Sequence, residues 1–572
     1  MKGLKLTRLL NNNKGFIFAI VMLAIVFVVG LSAAFFMRAT AEKKLVDIEK
    51  YTTQASFLGE AGAHHALSEL RTRIRVDLAS AITAGKGIKS RDLDKYTGRP
   101  LQFLVDYAYA GEDAQFSISG SQATLALSSL SLPYDIDGNY GAQIIITAPT
   151  NPNLSYPNTN PTNPAEDVYV FYYNYAVEGT GNSTATSPNI SKNTSLLGSF
   201  SVTVRKDNFA RYALLTDKHQ TPDGNPVWFT ETTNFGGPVH TNEHFYFANN
   251  PGASFSGKVT QKKQEAWFFN DGTPVKLKAD RNGDLDVPIF DQGFERNAEK
   301  IDIKKAVKKK DLEKQTLGKM EKPDANGVYL GVEDSSVTGG IYIKGDVSDL
   351  VCAATESGPQ YTITQGATTT TITVDYDSNA TTVSTGAGVP ISYTGLPDGL
   401  RDEGIVIYSE NNVSNVSGTV QAGTQMTLSA KKDIVISGHL RYEDYSGSPP
   451  SAAGATNMLG IISAEGDVRI GAAAPDNVEI HGIVVAPKGV FAVDDYATGA
   501  PRGTVTLLGG SITKNYGTFG TSQGGELVSG YGRSFVYDER VQSDQIPPYF
   551  PEMKNFTSIE YGLSDRPLWK IK

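Results

Sequence analysis

Two histidines four positions apart, in His240-Thr241-Asn242-Glu243-His244, have the spacing with which one helix face presents two imidazoles to a zinc ion beside a carboxylate base. That chemistry needs the helix, because only there do positions i and i+4 lie one above the other. Gly236-Gly237-Pro238 before the motif, Phe245-Tyr246-Phe247 after it and Asn249-Asn250-Pro251-Gly252 beyond it argue against a helix. In a strand or loop the two rings diverge, and the expectation is a hydrogen-bonded β-turn. Asp280-Arg281-Asn282-Gly283-Asp284-Leu285-Asp286 sets oxygen ligands at alternate positions, as calcium loops do. The helix-loop-helix calcium pattern wants glycine sixth and glutamate twelfth, whereas here Gly283 is fourth and Asp291 twelfth. A polar turn is the expectation, with calcium at Asp280, Asn282 and Asp284 left open; Asp135-Ile136-Asp137-Gly138-Asn139 is weaker still.

Other groups carry less. Asp494, Asp495 and His481 are the acids and base that a glycan-cleaving groove would need, but nothing in their spacing makes them converge. His64-His65 fall in a helical stretch where one must point off the apolar face. Cys352 sits in Leu350-Val351-Cys352-Ala353-Ala354, an apolar setting that favours a buried, inert thiol. Asp538 and Arg540, two apart, can pair and lock the chain near its C-terminal end. There is no phosphate-binding glycine loop. The reading therefore expects no catalytic residue, no cofactor and no metal.

The elements that hold these residues are set by composition. The 572 residues include 57 Gly and 27 Pro, with 20% charged and 10% aromatic residues, a turn-rich profile that leans to β structure and can still bury cores. A net charge of −9 opposes general nucleic-acid binding, which needs a basic surface. One cysteine excludes an internal disulfide framework.

Phe16 to Met37 is an uncharged run of 22 residues between Lys14 and Arg38, roughly 33 Å as a helix and enough to cross a hydrocarbon core of about 30 Å. Lys2, Lys5, Arg8 and Lys14 precede it; Arg38, Lys43, Lys44 and Lys50 follow. The α-amino charge and the ease with which long C-terminal regions translocate favour a cytoplasmic N-terminus and an exported body. A cleaved signal with an Ala39-Thr40-Ala41 site is the alternative, but the run is too long for one and Arg38 would lie between it and the cut. Beyond it, Leu45, Ile48, Tyr51, Ala55, Leu58, Gly62, Ala66, Leu70 and Ile74 recur in steps of three and four, one stripe along an amphipathic helix of about 40 residues, near 60 Å. The stripe has to pack on its own globular part or on neighbouring helices.

A short basic leader ending in Lys14-Gly15, with Phe16 opening an apolar helix that runs on into an amphipathic one, resembles the type IV prepilins. The segment Ala55-Ser56-Phe57-Leu58-Gly59-Glu60-Ala61-Gly62 resembles that of PilX-type minor pilins. The resemblance implies that a prepilin peptidase cuts between Gly15 and Phe16 and that the helix assembles with other pilin-like subunits. Ile20 stands where the family's major subunits carry glutamate, which puts a major-subunit role in doubt. Ala210-Arg211-Tyr212, Gly237-Pro238-Val239-His240-Thr241-Asn242, Gly339 to Gly345, Arg533 to Arg540 and Pro547-Pro548-Tyr549-Phe550-Pro551 are similar to motifs of poorly characterised bacterial envelope proteins, which implies surface association and no chemistry.

Short alternating runs separated by Asp137-Gly138-Asn139 read as strands between Tyr96 and Thr147, and the five prolines within 149–164 read as a linker. From Asp207 to Val275 aromatic residues crowd a compact β region, and Glu295 to Lys319 reads as a basic helix with a solvated face. After Gly339, pairs such as Ile341/Ile343, Ile405/Ile407, Ile434/Ile436 and Val505/Leu507 alternate and end in Gly, Asn or Asp, the rhythm of a parallel β-helix or, alternatively, a β-sandwich. The expected fold is mainly β behind a long N-terminal transmembrane and amphipathic helix. Its expected division is a leader (1–15), a membrane segment (16–37), a stalk (38–80), a β-rich region (81–206), an aromatic β domain (207–292), a basic helix (293–320), a β-helix-like region (321–540) and a tail (541–572). The expected function is that of a non-enzymatic, pilin-like protein of the inner membrane whose body meets a surface glycan or protein. A membrane-anchored or secreted adhesin or carbohydrate-binding module is the first alternative and a β-helical polysaccharide-degrading enzyme the second.

Overall fold

The computed structural model describes residues 13–78, 87–96, 99–107, 116–131, 137–149, 168–185, 189–248, 253–270, 272–277, 287–543, 545–563 and 568–571. The linker expected over 149–164 lies almost wholly outside them. The chain is mainly β with one long N-terminal helix, Asn13–Thr72, closed by a π-helical turn at Arg73–Leu78. At 1.5 Å per residue the helix is about 90 Å long, and its two halves have different surroundings. Every side chain from Phe16 to Met37 is exposed, and so are Leu45 and Ile48, the first positions of the amphipathic stripe. From Ala55 the same stripe is buried: Leu58, Ala66, Leu70 and Ile74 pack on the chain's own sheet.

That sheet is antiparallel. Phe116–Ser119, Gln122–Ser131, Gly138–Thr147, Val168–Ser183 and Ile190–Asn208 pair in chain order. Val168–Ser183 alternates strictly enough that Tyr169, Phe171, Tyr173, Tyr175 and Val177 all face the helix layer. The expected C-terminal tail needs correction: Glu552–Leu563 and Leu568–Ile571 are strands that both pair with Ile190–Asn208. Everything between Asn208 and Glu552 is thus an insertion into this sheet, its two ends held side by side by Phe209 N donating to Pro551 O at 3.2 Å.

The insertion is a stack of coils. One ladder of parallel pairs joins Ile341, Ile407, Leu428, Ile461, Val484, Ser511, Leu214, Val239, Val259 and Phe294 in a single column. A second runs through Leu350, Val416, Ile436, Ile470 and Val493. The chain enters this stack in the middle, at Leu214–Lys218, and winds to one end at Phe294–Glu295. It then crosses to the far end at Ser336–Lys344 and winds back until Pro501–Asn515 pairs with Leu214–Lys218. One hydrophobic core runs from Phe209 to Phe550, so the boundary expected between an aromatic domain and a later region is absent. Sandwich-like antiparallel pairing is present as well, in the sheet against the helix and in the meander from Asp349–Ala354 to Ile391–Thr394.

The crossing segment also corrects an expectation. Helix occupies only Lys309–Leu317, after a 3-10 turn at Ile303–Lys305, instead of the whole of 293–320. The rest is an extended strap up the side of the stack. Ala298 N donates to Gln261 O at 2.9 Å, and Ile301 exchanges backbone hydrogen bonds with the Asn242 amide at 2.7 and 2.8 Å. Lys304 then meets Asp217 at 2.9 Å, Lys309 meets Glu465 at 2.7 Å, and Lys322 reaches Glu313 and Glu410. Several of the basic residues therefore answer acids of their own chain, coil after coil. Exposed pairs of this kind contribute about 0–1 kcal/mol each, so they set the strap's path more than its stability.

Candidate functional site

The exposed half of the helix is the largest feature that folding leaves unexplained. Leu23 is 73% and Phe36 79% exposed, and among the described residues this is the helix long and apolar enough to cross a membrane. Contiguous apolar surface well beyond a few hundred Å² marks a lipid or protein contact in a folded chain. Gly15 and Phe16 lie at its start, both exposed and inside the helix; the leader before Asn13 lies outside the described residues.

The seated half is fixed by small residues. The Gly59 and Gly62 face of the helix lies against Gly138, Gly179 and Gly181 of the sheet, and a Cβ built on Gly179 would stand 2.1 Å from Gly59 O. One on Gly181 would stand 2.1 Å from Ala55 O. The small residues of Ala55 to Gly62 thus have a packing reason: backbone meets backbone, and larger side chains on either side would lift the helix from its sheet. His65 adds a hydrogen-bonding contact, Nδ1 to Tyr140 Oη at 3.1 Å, while His64 is exposed.

The zinc-like motif does not assemble. His240 lies on the strand Val239–Thr241, with Nδ1 2.8 Å from Thr260 Oγ1 and Nε2 3.1 Å from Asn242 Oδ1. His244 turns elsewhere, its Nδ1 donating to Glu265 O at 2.6 Å. Burial, only partly offset by Asn242 and Glu295, lowers the His240 pKa to about 4, which keeps the ring neutral. Asp494 pairs with Arg469 at 2.9 Å, and His481 accepts from Tyr442 N at 3.0 Å inside the stack, so the two do not form a groove. Asp280, Asn282 and Asp284 lie outside the described residues. Burial pushes the Cys352 thiol up to about 12, the inert state its neighbours imply.

Asp538 and Arg540 do pair, Asp538 standing just ahead of the 3-10 turn Glu539–Ser543 that carries Arg540. Arg540 donates Nη2 to Asp538 Oδ2 at 2.7 Å and Nε to Oδ1 at 2.9 Å. Its Nη1 donates to both Ala455 O and Asn457 O at 2.8 Å. A cavity of about 1060 Å³ lies beside this turn, and no local pattern announces it, because residues far apart in the chain build it. Arg205 and Lys206 of the sheet, Lys308 of the strap, Arg401 and the run Pro547 to Pro551 line it. Tyr549, at φ 56°, is held there by its N–H donating to Glu403 at 3.0 Å and by Arg401 over its ring. The Pro547 to Pro551 motif is thereby a wall where the body rejoins the sheet.

Comparison with known proteins adds little that the geometry does not. A family model described as a domain of unknown function, DUF4900, matches residues 169–263, the stretch that leads from the antiparallel sheet into the first coils. No curated protein matches the sequence. Among solved structures, the competence-associated pilin ComZ from Thermus thermophilus aligns over 91% of this chain and 98% of its own, at 12% identity and a TM-score of 0.31. A score that low carries no argument. The chain is therefore similar to the DUF4900 family over the junction of its two layers, and it is placed in no family as a whole.

Proposed function

We propose that this protein is a non-enzymatic, pilin-like component of a bacterial cell envelope, related in its N-terminal design to the PilX-type minor pilins. In this reading residues 16–37 lie in the inner membrane with the N-terminus cytoplasmic and the body outside. Prepilin peptidase cuts between Gly15 and Phe16, and the freed helix packs with other pilin-like subunits of a filament. The coil stack, read as a parallel β-helix, is the part carried outward to meet a surface glycan or protein.

One observation carries the reading: a single unbroken helix whose first half is apolar and exposed and whose second half is seated on an antiparallel sheet through a glycine-lined contact. An ordinary membrane anchor needs only the first half. A subunit that must leave the bilayer and enter an assembly needs a rigid extension as well. Ile20 in place of glutamate fits an accessory subunit better than a repeated one.

The test is the N-terminal mass of the mature protein. The expected result is a chain beginning at Phe16, with an added methyl group on its amine. A start at Glu42 would assign secretion by signal cleavage, and an intact Met1 would assign a permanent anchor; either would overturn the processing step.

A further inference from the structure

We propose that the outer face of the first coils binds a neutral, extended glycan chain. The claim deepens the surface contact ascribed to the body above and rests on that reading only for the body's exposure outside the cell.

Trp228–Phe229, Tyr246–Phe247 and Ala266–Asn270 are parallel neighbours in three successive coils, with Thr273–Leu277 closing the sheet antiparallel. Alternation sends Phe229, Phe247 and Phe268 into the core, where all are buried. The register then places Trp228, Tyr246, Trp267 and Lys276 in one row on the opposite, outward face, the three rings half-buried and so partly open to solvent. Ring centroids along the row are 5.4 Å apart from Trp228 to Tyr246, whose planes are inclined at 64°, and 6.3 Å from Tyr246 to Trp267, whose planes differ by 9°. Phe269 extends the patch, 4.9 Å from Trp228.

Core packing does not require these residue types on a solvent face, where threonine or lysine would serve the strand equally well. Tryptophan and tyrosine give a large, stiff contact at small entropic cost. A pyranose ring offers the matching shape, with apolar C–H faces to lie on the rings and hydroxyls at its edge. Because the rings repeat with the coils, the row suits several consecutive sugars of an extended chain better than one end group. Charge decides between neutral and ionic glycans. The rim carries Glu243 with Lys263 at 3.6 Å and Glu265 with Lys276 at 2.9 Å, so these acids and bases offset one another and leave polar groups for hydroxyls without a net field.

The experiment uses the full-length protein in detergent micelles. The chain has three tryptophans, so a Trp569→Phe background leaves Trp228 and Trp267 as the only sources of tryptophan emission. Cellohexaose and chitohexaose, both neutral β-1,4-linked chains, are titrated against tryptophan emission. The expected result is a saturable change with at least one of them, with Trp228→Ala and Trp267→Ala each weakening binding roughly tenfold or more, about 1.4 kcal/mol. Far-UV circular dichroism of each variant reports folding, and the emission of the background protein keeps the test decisive if a variant fails to fold. No emission change with either sugar would overturn the proposal. So would binding confined to an acidic glycan such as polygalacturonate and lost with Lys263→Ala or Lys276→Ala. Neither outcome alters the mass expected at Phe16, so failure here is distinct from failure of the pilin-like reading.

Discussion

Acidifying the full-length protein from about pH 7.5 to about pH 5.5 is expected to remove on the order of 4 kcal/mol of stability from the coil stack. Three histidines carry the effect. His219 is enclosed by Phe229, Phe245 and Tyr516, His240 stands under the strap, and His481 lies inside the ladder. Burial lowers their pKa values to about 3, 4 and 4 from the ordinary 6.5. Nearby Arg533 acts in the same direction on His219, and Arg441 with His439 does so on His481, whereas Asn242 and Glu295 oppose the shift at His240. The sign follows from which state takes the proton. Below 6.5 the unfolded chain binds protons at these sites and the folded chain does not, so stability is complete above 6.5 and falls as pH drops toward 4. Each histidine contributes about 1.4 kcal/mol per pH unit in that window. Urea unfolding monitored by circular dichroism at the two pH values measures the difference, and His240→Gln should remove about a third of the slope. An unfolding midpoint that does not move with pH would contradict this account of the core.

The second large effect is expected at the turn where the body ends. Asp538→Ala should destabilise the protein by about 3–5 kcal/mol, because it leaves the Arg540 guanidinium beside Tyr442 without its paired carboxylate. The side chains are 2% and 11% exposed, so water does little to screen the loss. Replacing both residues together, Asp538→Ala with Arg540→Met, should recover much of the deficit, since no uncompensated charge is then buried. Denaturant midpoints of the single and double variants give the coupling directly. A single-variant cost below about 1 kcal/mol would mean that the turn is not a lock but an ordinary surface pair.

What the sequence disclosed and what it hid divide along local against distant interactions. The apolar run, the stripe from Ala55 to Ile74 and pairs such as Ile405/Ile407 or Ile434/Ile436 are periodic signals, and each corresponds to the helix or a strand. The rhythm of those pairs is readable, but two successive strands make one coil: Ile405 pairs with Met426 and Val416 with Ile436. The order of the stack was hidden, because parallel partners are joined by no turn and leave no local mark. So was the entry in mid-stack, where Ser511 meets Leu214. The basic stretch is helix over only part of its length: its lysines suit one, but few apolar positions there give a helix face to bury, and Asn242, Asp217 and Glu465 hold much of it as a strap. For the candidate site, the exposed helix was fully legible. The ring row was not, since Trp228, Tyr246 and Trp267 come together only once the register is known.

The central claim is that the exposed half of the helix lives in lipid while the body lies outside the cytoplasm. Fractionating cells that make the full-length chain, then adding protease to intact spheroplasts, tests both parts at once. The account expects the protein to sediment with membranes, to resist extraction by alkaline carbonate, and to lose its body to protease added from outside. Recovery of the intact chain in the soluble cytosolic fraction would contradict it.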